Sequence, residues 1–340
     1  MTNDEREKFW NTICSLPGRD IRAEREELLK TIKLPRYLYR YRPVNTRNLE
    51  SLRTNMLYFS SANYYDDPFD TFLHIDVEKI RNEIFAASQN PAILETVVES
   101  INSQLKEKLN KEQLDHLDVG TAKNALSEDI IDKFLNYVLA SREDLKKNLW
   151  SVCFSENGYN ESLWLKYADC HKGFVLIYDL ENNDNFLCGK QEKCNNCGIR
   201  IYGTSIYPVY YSNAPYDATN FAKQIIMQKV GQHVGISIQP HIYHRLEPLF
   251  WEREKITLIK KECHKYDEEW RMLLCCNMNP PIMMEWIPSG IILGLHMKKD
   301  EENLTVCMAK EAGIKYIYKA FINERSELSY YLLKCFDVSR

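Results

Sequence analysis

The side chains able to do chemistry fall into four groups in this chain. The first is Cys188, Cys194 and Cys197, spaced C-x5-C-x2-C. A structural zinc takes four tetrahedral ligands, usually delivered as two close pairs. One such pair, Cys194 and Cys197, sits in the turn-forming "CNNCG", with Cys188 as a third ligand. Cys170, His171, Cys263 and His264 are the candidates for the fourth. A loop of unpaired thiols accounts for the same spacing without a metal. A thioredoxin-like redox pair is disfavoured, because the two cysteines do not open a helix after a strand.

The second group is "YDDPFD" (65–70), where Asp66, Asp67 and Asp70 surround a proline. Hard divalent cations prefer such oxygen ligands. Turn aspartates also accept backbone N–H bonds, which gives the loop a purely structural role. The third group is "YDEEWRMLL" (266–274), a strand pattern in which period-2 alternation puts Asp267, Glu269 and Arg271 on one face. A Glu–Arg pair two residues apart can be structural; a glutamate opening a strand can also act on a ligand hydroxyl. The fourth group is Arg40 and Arg42 in "RYLYRYR" (36–42). An inward-facing arginine needs an anionic partner, a ligand phosphate or a carboxylate, and Glu269 is the internal candidate. Tyr167 and His171, at the exit of a short helix, add an aromatic wall and a titratable imidazole.

Several familiar devices are absent. There is no G-x-S-x-G elbow, no phosphate-binding G-x-x-x-x-G-K-[ST] or G-x-G-x-x-G loop, and no H-E-x-x-H. With 12 glycines in 340 residues, a nucleotide would be held mainly by side chains. The net charge of −4 and pI of about 6.1 argue against a surface that adheres generally to polyanions. The acidic start "MTNDEREKFW" lacks the basic and apolar regions of a signal peptide, and no stretch reaches the roughly 18 apolar residues of a membrane span. A cytoplasmic protein with reduced thiols is expected, so most of the 11 cysteines are read as small hydrophobes.

These side chains need a scaffold. Residues 1–33 read as an amphipathic helical lead-in ended by Pro35, followed by a strand at 36–42. A short helix at 45–55, capped by Asn45 or Thr46, leads to a strand at 56–61. Spaced Ile, Leu and Val among charged residues over about 76–148 predict a helical insertion. Strands are expected at 149–155, 173–180, within 199–211, at 268–276 and at 290–297, with a short last one at 314–319. Helices are expected at 161–169, 218–234, 243–261 and 300–312, the last capped by Asp300. The fold class is α+β: residues 1–35 form a helical extension, and 36–340 form one domain with a mixed sheet.

The order of motifs resembles the bacterial family known as domain of unknown function 2971. "LYRYRP" (38–43), "LRTNMLYFSSANYYDDPFD" (52–70), "CFSE" (153–156), "LWLKYADCHKGFVLIYD" (163–179), "VYY" (209–211), "DEEWRMLL" (267–274) and "IILG" (291–294) carry the likeness. It covers most of 37–318 apart from the insertion. Asp66 stands where that family has asparagine and Asp267 where it has glutamate; both keep an oxygen ligand. The element order in turn looks like that of ADP-ribosyltransferases, particularly those acting on nucleic acid. That resemblance implies a sheet core binding NAD as substrate. Arg40 or Arg42 would grip it with Ser60 or Ser61 nearby, Tyr167 would line the nicotinamide pocket, and Glu269 would be catalytic; Tyr167 and His171 stand with Glu269 as catalytic candidates, and Arg271 with the cofactor-binding ones. It implies modification of a nucleic acid or protein target, in bacterial stress response or phage defence. Two rivals stand beside it: a non-catalytic module sensing a nucleotide or small anion, and a metal-dependent nuclease built on Asp66, Asp67 and Asp70.

Overall fold

The structure, a computed structural model, describes residues 1–92, 94–95, 98–99, 119–125, 127–181, 206–233, 251–274 and 283–337. The cysteines 188, 194 and 197 lie outside them, as does the expected strand before residue 206.

The N-terminal lead-in is two helices, α1 (Asn3–Ser15) and α2 (Ile21–Lys30), instead of one. Thr2 and Glu5 form a reciprocal capping box that starts α1. The Leu16-Pro17-Gly18 stretch then breaks the chain, with Gly18 at a φ of 70° that favours glycine. Strand β1 (Tyr37–Arg42) follows, then α3 (Thr46–Arg53), capped by Asn45 as the sequence predicts. The pattern at 56–61 resolves into β2 (Met56–Tyr58) and β3 (Ser60–Ser61).

Helices α4 (Val77–Gln89), α5 (Val119–Ala125), α6 (Glu128–Ala140) and α7 (Arg142–Lys147) come next. With α9 (Thr219–His233) the helical segment shares an apolar cluster that includes Ile80, Ile84, Ile131, Leu135 and Ile226. Strand β4 (Trp150–Ser155), α8 (Glu161–Tyr167), β5 (Phe174–Asp179), β6 (Ile206–Pro208) and β7 (Tyr210–Tyr211) precede α9. Of the helix expected at 243–261, residues 243–250 lie outside the described ones, and the described part holds the short α10 (Glu252–Thr257). The apolar run after it turns into β8 (Ile259–Lys260), which pairs in parallel with β7. Strands β9 (Glu269–Leu274), β10 (Met283–Glu285) and β11 (Gly290–Leu293) lead to α11 (Lys299–Glu311). Lys298, not Asp300, occupies its cap position, leaving the acids inside the first turn where the helix dipole favours them. The chain closes with a hairpin, β12 (Tyr316–Ile322) and β13 (Leu328–Cys335), of which the sequence reading had only part of the first strand.

Among the described residues the main sheet is mixed and nine-stranded, in the order β13-β12-β11-β5-β1-β4-β9-β6, with β3 also on β4. One face packs Leu38, Phe154, Met272 and Ile291 against α3 and α11. The other packs Tyr41, Val175 and Ile292 against Trp164 of α8. Each fully buried large apolar side chain contributes about 1.5–3 kcal/mol, so both faces of the sheet are firmly held.

Candidate active site

The ladder between β1 and β4 is barely made. Tyr39 pairs with Ser155, and further along the same edge β3 replaces β1, with Ser60 opposite Ser151 and Ser61 opposite Trp150. On that edge Ala62 donates to the carbonyl of Leu149. Antiparallel alternation therefore turns the backbone groups of Cys153 toward the gap as well, where Cys153 pairs with neither strand. The sheet forks here, and a cavity of about 350 Å³ fills the fork. That is within the range of small-molecule sites, about 300–1,000 Å³.

Why β1 leaves β4 is written in the turn after α8. Asp169, Cys170 and His171 all adopt positive φ, at 46°, 51° and 66°. The reversal delivers Gly173 against β1 so closely that a Cβ there would lie 2.1 Å from the Arg42 carbonyl oxygen. Gly294 is pressed as hard on the His171 carbonyl. The polar turn thus feeds an apolar strand because Gly173 lets β5 lock onto β1 along its full length, from Tyr37 opposite Asp179 to Arg42 opposite Phe174, while Gly294 lets the end of β11 close on the same turn. Strand β1 belongs to β5, and its other edge is left to splay.

Register decides which side chains meet. Residues directly opposite one another share a face. Tyr39, Ser155 and Glu269 are opposite in turn, and Cys153 is opposite Arg271, so these lie on the α8 side. Arg40 is opposite Leu176 and points to the other face. The expected Arg40–Glu269 pair does not form, because period-2 alternation puts them on opposite sides of the sheet. Both nevertheless line the cavity, since the fork opens through the sheet.

The floor is a saturated ion network. Arg271, 1% exposed, grips Asp70 with both terminal nitrogens, Nη1 to Oδ1 at 2.9 Å and Nη2 to Oδ2 at 2.6 Å. Its Nε donates to Glu269 Oε1 at 2.7 Å and its Nη1 to the Thr257 carbonyl at 2.6 Å. Lys260 Nζ donates to Glu269 Oε2 at 3.0 Å and to Asp267 Oδ2 at 2.8 Å, with Asp70 Oδ2 at 4.0 Å. Burial opposes ionisation of Glu269, but the neighbouring Arg271 and Lys260 outweigh it and hold its carboxyl well below the usual 4.5. Lys260 is held above its usual value, its own burial being overcome by Glu269 first and then by Asp70 and Asp267.

The backbone of Glu269 is fixed from behind. Its N–H donates to the Tyr211 hydroxyl at 2.8 Å, and Arg6 Nη1 bridges the carbonyls of Glu269 and Val209 at 2.9 and 2.8 Å. Glu268, in the left-handed region at a φ of 47°, turns the chain so that β9 starts at Glu269. Asp267, just before that turn, still lines the cavity.

The opposite wall differs. Arg40 is 8% exposed and donates to the Tyr58 carbonyl at 3.3 Å beside the Tyr178 phenol. It makes no ion pair with a carboxylate among the described residues, and burial lowers its pKa. Arg42, Tyr39, Tyr41 and Tyr64 also line the cavity, whereas the Tyr65 ring lies under the Arg271 guanidinium, 5.1 Å from its centroid. Cys153 lines the cavity too, but burial pushes its thiol up to about 12, so it stays protonated.

Of the residues expected at the site, Arg40, Arg42, Ser60, Tyr167, Glu269 and Arg271 line the cavity. Ser61 does not. The alternation that brings Ser60 to the fork turns Ser61 away, to donate to the Lys146 carbonyl at 3.0 Å. His171 is also elsewhere: its ring stacks on Trp164 at 5.2 Å, near His296, and burial lowers its pKa. In the aspartate loop, Asp67 accepts from the Phe69 N–H at 2.9 Å and faces His264 Nε2 at 3.3 Å, while Asp70 is taken by Arg271. Among the described residues no group of three His, Cys, Asp or Glu side chains is arranged to hold a metal. No described helix is long and apolar enough to cross a membrane.

Sequence reading missed Lys260, Arg6 and Lys166, the last of which also lines the cavity. Lys260 was hidden inside an expected helix, although the apolar β-branched "ITLIK" (256–260) before it is a strand signal. No family model, curated protein or solved structure matches the chain.

Proposed function

We propose that the fork cavity binds NAD and that the chain is an ADP-ribosyltransferase-like protein acting on a nucleic acid or protein target. The observation that carries this reading is the convergence of Arg40 and Glu269 on one cavity from opposite faces of the sheet. A buried guanidinium without a carboxylate partner among the described residues is suited to a phosphate. A glutamate held ionised is suited to a ribose hydroxyl and to the positive charge that develops as the glycosidic bond to nicotinamide breaks. The tyrosine-rich lining between them offers faces for flat rings.

The test is release of nicotinamide from NAD by the purified protein. Wild type releases it, while Glu269→Gln and Arg40→Met do not, with melting curves confirming that each variant is folded. Wild type that leaves NAD intact sinks the transferase reading. One observation favours a second reading, a sensing module without turnover: both Glu269 oxygens already accept from protein cations. NAD or another nucleotide would then raise the melting temperature without being consumed. The aspartate loop gives a metal-dependent nuclease less support, since Asp70 is engaged bidentately by Arg271.

A further inference from the structure

We infer that Lys260 is a displaceable counter-ion that decides which ligand groups reach Glu269. This rests on the proposed NAD reading for the identity of the ligand but not for the role of the lysine. Glu269 has two cationic partners, and they differ in freedom. Arg271 is fixed at every nitrogen, to Glu269, to Asp70 twice and to the Thr257 carbonyl. Its planar fork cannot leave Glu269 without leaving Asp70. Lys260 reaches the network as a compact ammonium on a flexible stem, delivered by the two-residue strand β8. Its three donors can exchange acceptors one at a time.

A destination is already in place. Lys260 Nζ bonds Asp267 at 2.8 Å and Glu269 at 3.0 Å, and Asp70 Oδ2 waits at 4.0 Å. A shift of about 1 Å, within the reach of a rotamer adjustment, keeps the Asp267 bond and trades Glu269 for Asp70. Glu269, which lines the cavity, then has Oε2 open to a ligand. What replaces an ammonium at a carboxylate must donate hydrogen bonds or carry positive charge. The floor therefore admits a vicinal diol or a cationic ring and rejects a phosphate or carboxylate. Anionic groups are left to the Arg40 wall. Lys260 in this way gives the cavity a direction, with the anionic end of the ligand at β1 and its hydroxyl or cationic end at β9.

Carbodiimide-driven amine labelling of carboxyl groups, mapped by peptide mass spectrometry, tests the role without any ligand. Removing one of two cations raises the Glu269 carboxyl toward its ordinary range, and each pKa unit changes the protonated, labelled fraction about tenfold. Glu269 in Lys260→Met should be labelled about tenfold more than in wild type. Lys260→Arg, which keeps the charge, should stay at the wild-type level; Lys260→Gln replaces the methionine variant if that one melts early. Equal labelling in wild type and the neutral variants, high or low, overturns the inference. A second arm measures NAD affinity by calorimetry, where losing the competing ammonium should tighten binding in Lys260→Met several-fold. Weaker binding by that variant overturns the displacement. A wild type that does not bind NAD at all defeats the functional proposal, while the labelling result still decides the lysine.

Discussion

The two walls of the fork cavity treat charge in opposite ways. On the β9 side every ion is answered: Glu269, Asp70 and Asp267 face Arg271 and Lys260 at 2.6–3.0 Å, apart from the 4.0 Å approach to Asp70. On the β1 side Arg40 is nearly as buried, yet it has carbonyl and phenol neighbours and no described carboxylate. A closed network of charges mostly holds shape. A lone buried guanidinium costs stability, and a protein that retains one at a cavity wall gains from whatever anion arrives. Under the proposed function, the first wall is structural and the second captures the ligand, with Glu269 belonging to both.

The strongest way to break that division is at its structural side. Arg271→Met strands Asp70 and leaves Glu269 with Lys260 alone, and removing one partner of a buried pair costs about 3–5 kcal/mol. Urea denaturation should show a loss of that size; a loss below about 1 kcal/mol, that of a surface pair, would make the network ornamental. Gly173→Ala attacks the cause of the fork, since the added methyl would lie 2.1 Å from a backbone oxygen that cannot retreat. It should lower the melting temperature markedly, more than any surface substitution, and a wild-type melting point would remove the explanation of why β1 leaves β4.

Arg40→Met sharpens the comparison from the other side. Arg40 has no carboxylate partner among the described residues. Replacing it with an apolar side chain of similar length should therefore be neutral or stabilising, as it often is for buried ion pairs, where the gain reaches about 1–4 kcal/mol. NAD binding should meanwhile fall by tenfold or more. Protein that is both destabilised and fully competent to bind would reverse the roles given to the two walls.

Acid sensitivity follows from Glu269. Its folded carboxyl lies below the ordinary 4.5, so the stability it contributes is complete above 4.5 and is lost as pH falls below that value. Lys260, held above 10.5, contributes fully throughout this range, and its share declines only as pH rises above 10.5 toward its folded value. Denaturant midpoints between pH 6 and pH 3 should therefore decline less steeply in Glu269→Gln than in wild type; parallel declines would mean that Glu269 is not the group titrating. The smallest effect is expected of a neighbouring pair. Ser61→Ala loses one buried hydrogen bond, about 1 kcal/mol, and leaves ligand binding alone, whereas Ser60→Ala does the reverse.

Much of this was legible beforehand. The strands carrying Arg40 and Glu269 are readable because alternation of large apolar and polar residues survives in both. The shared face of Glu269 and Arg271 follows from the same period. What alternation cannot give is register between distant strands, and register is what separates Arg40 from Glu269. The roles of His171 and Ser61 failed for the same kind of reason. Each is one element or one residue from the cavity, and its outward turn is set by a left-handed reversal or a two-residue strand. Lys260 was lost in a short apolar run that fits a helix as well as a strand until its pairing with β7 is known. The last hairpin was missed because its second strand alternates weakly, with Leu332 and Leu333 adjacent.

The division of labour between the walls meets its most direct trial in calorimetric titration of NAD into wild type and Arg40→Met, with melting curves run on both. Saturable binding by wild type, weakened at least tenfold in a variant that melts no lower, is the expected result. Heat signatures that match in the two proteins, or a wild type that takes up no NAD, would contradict it.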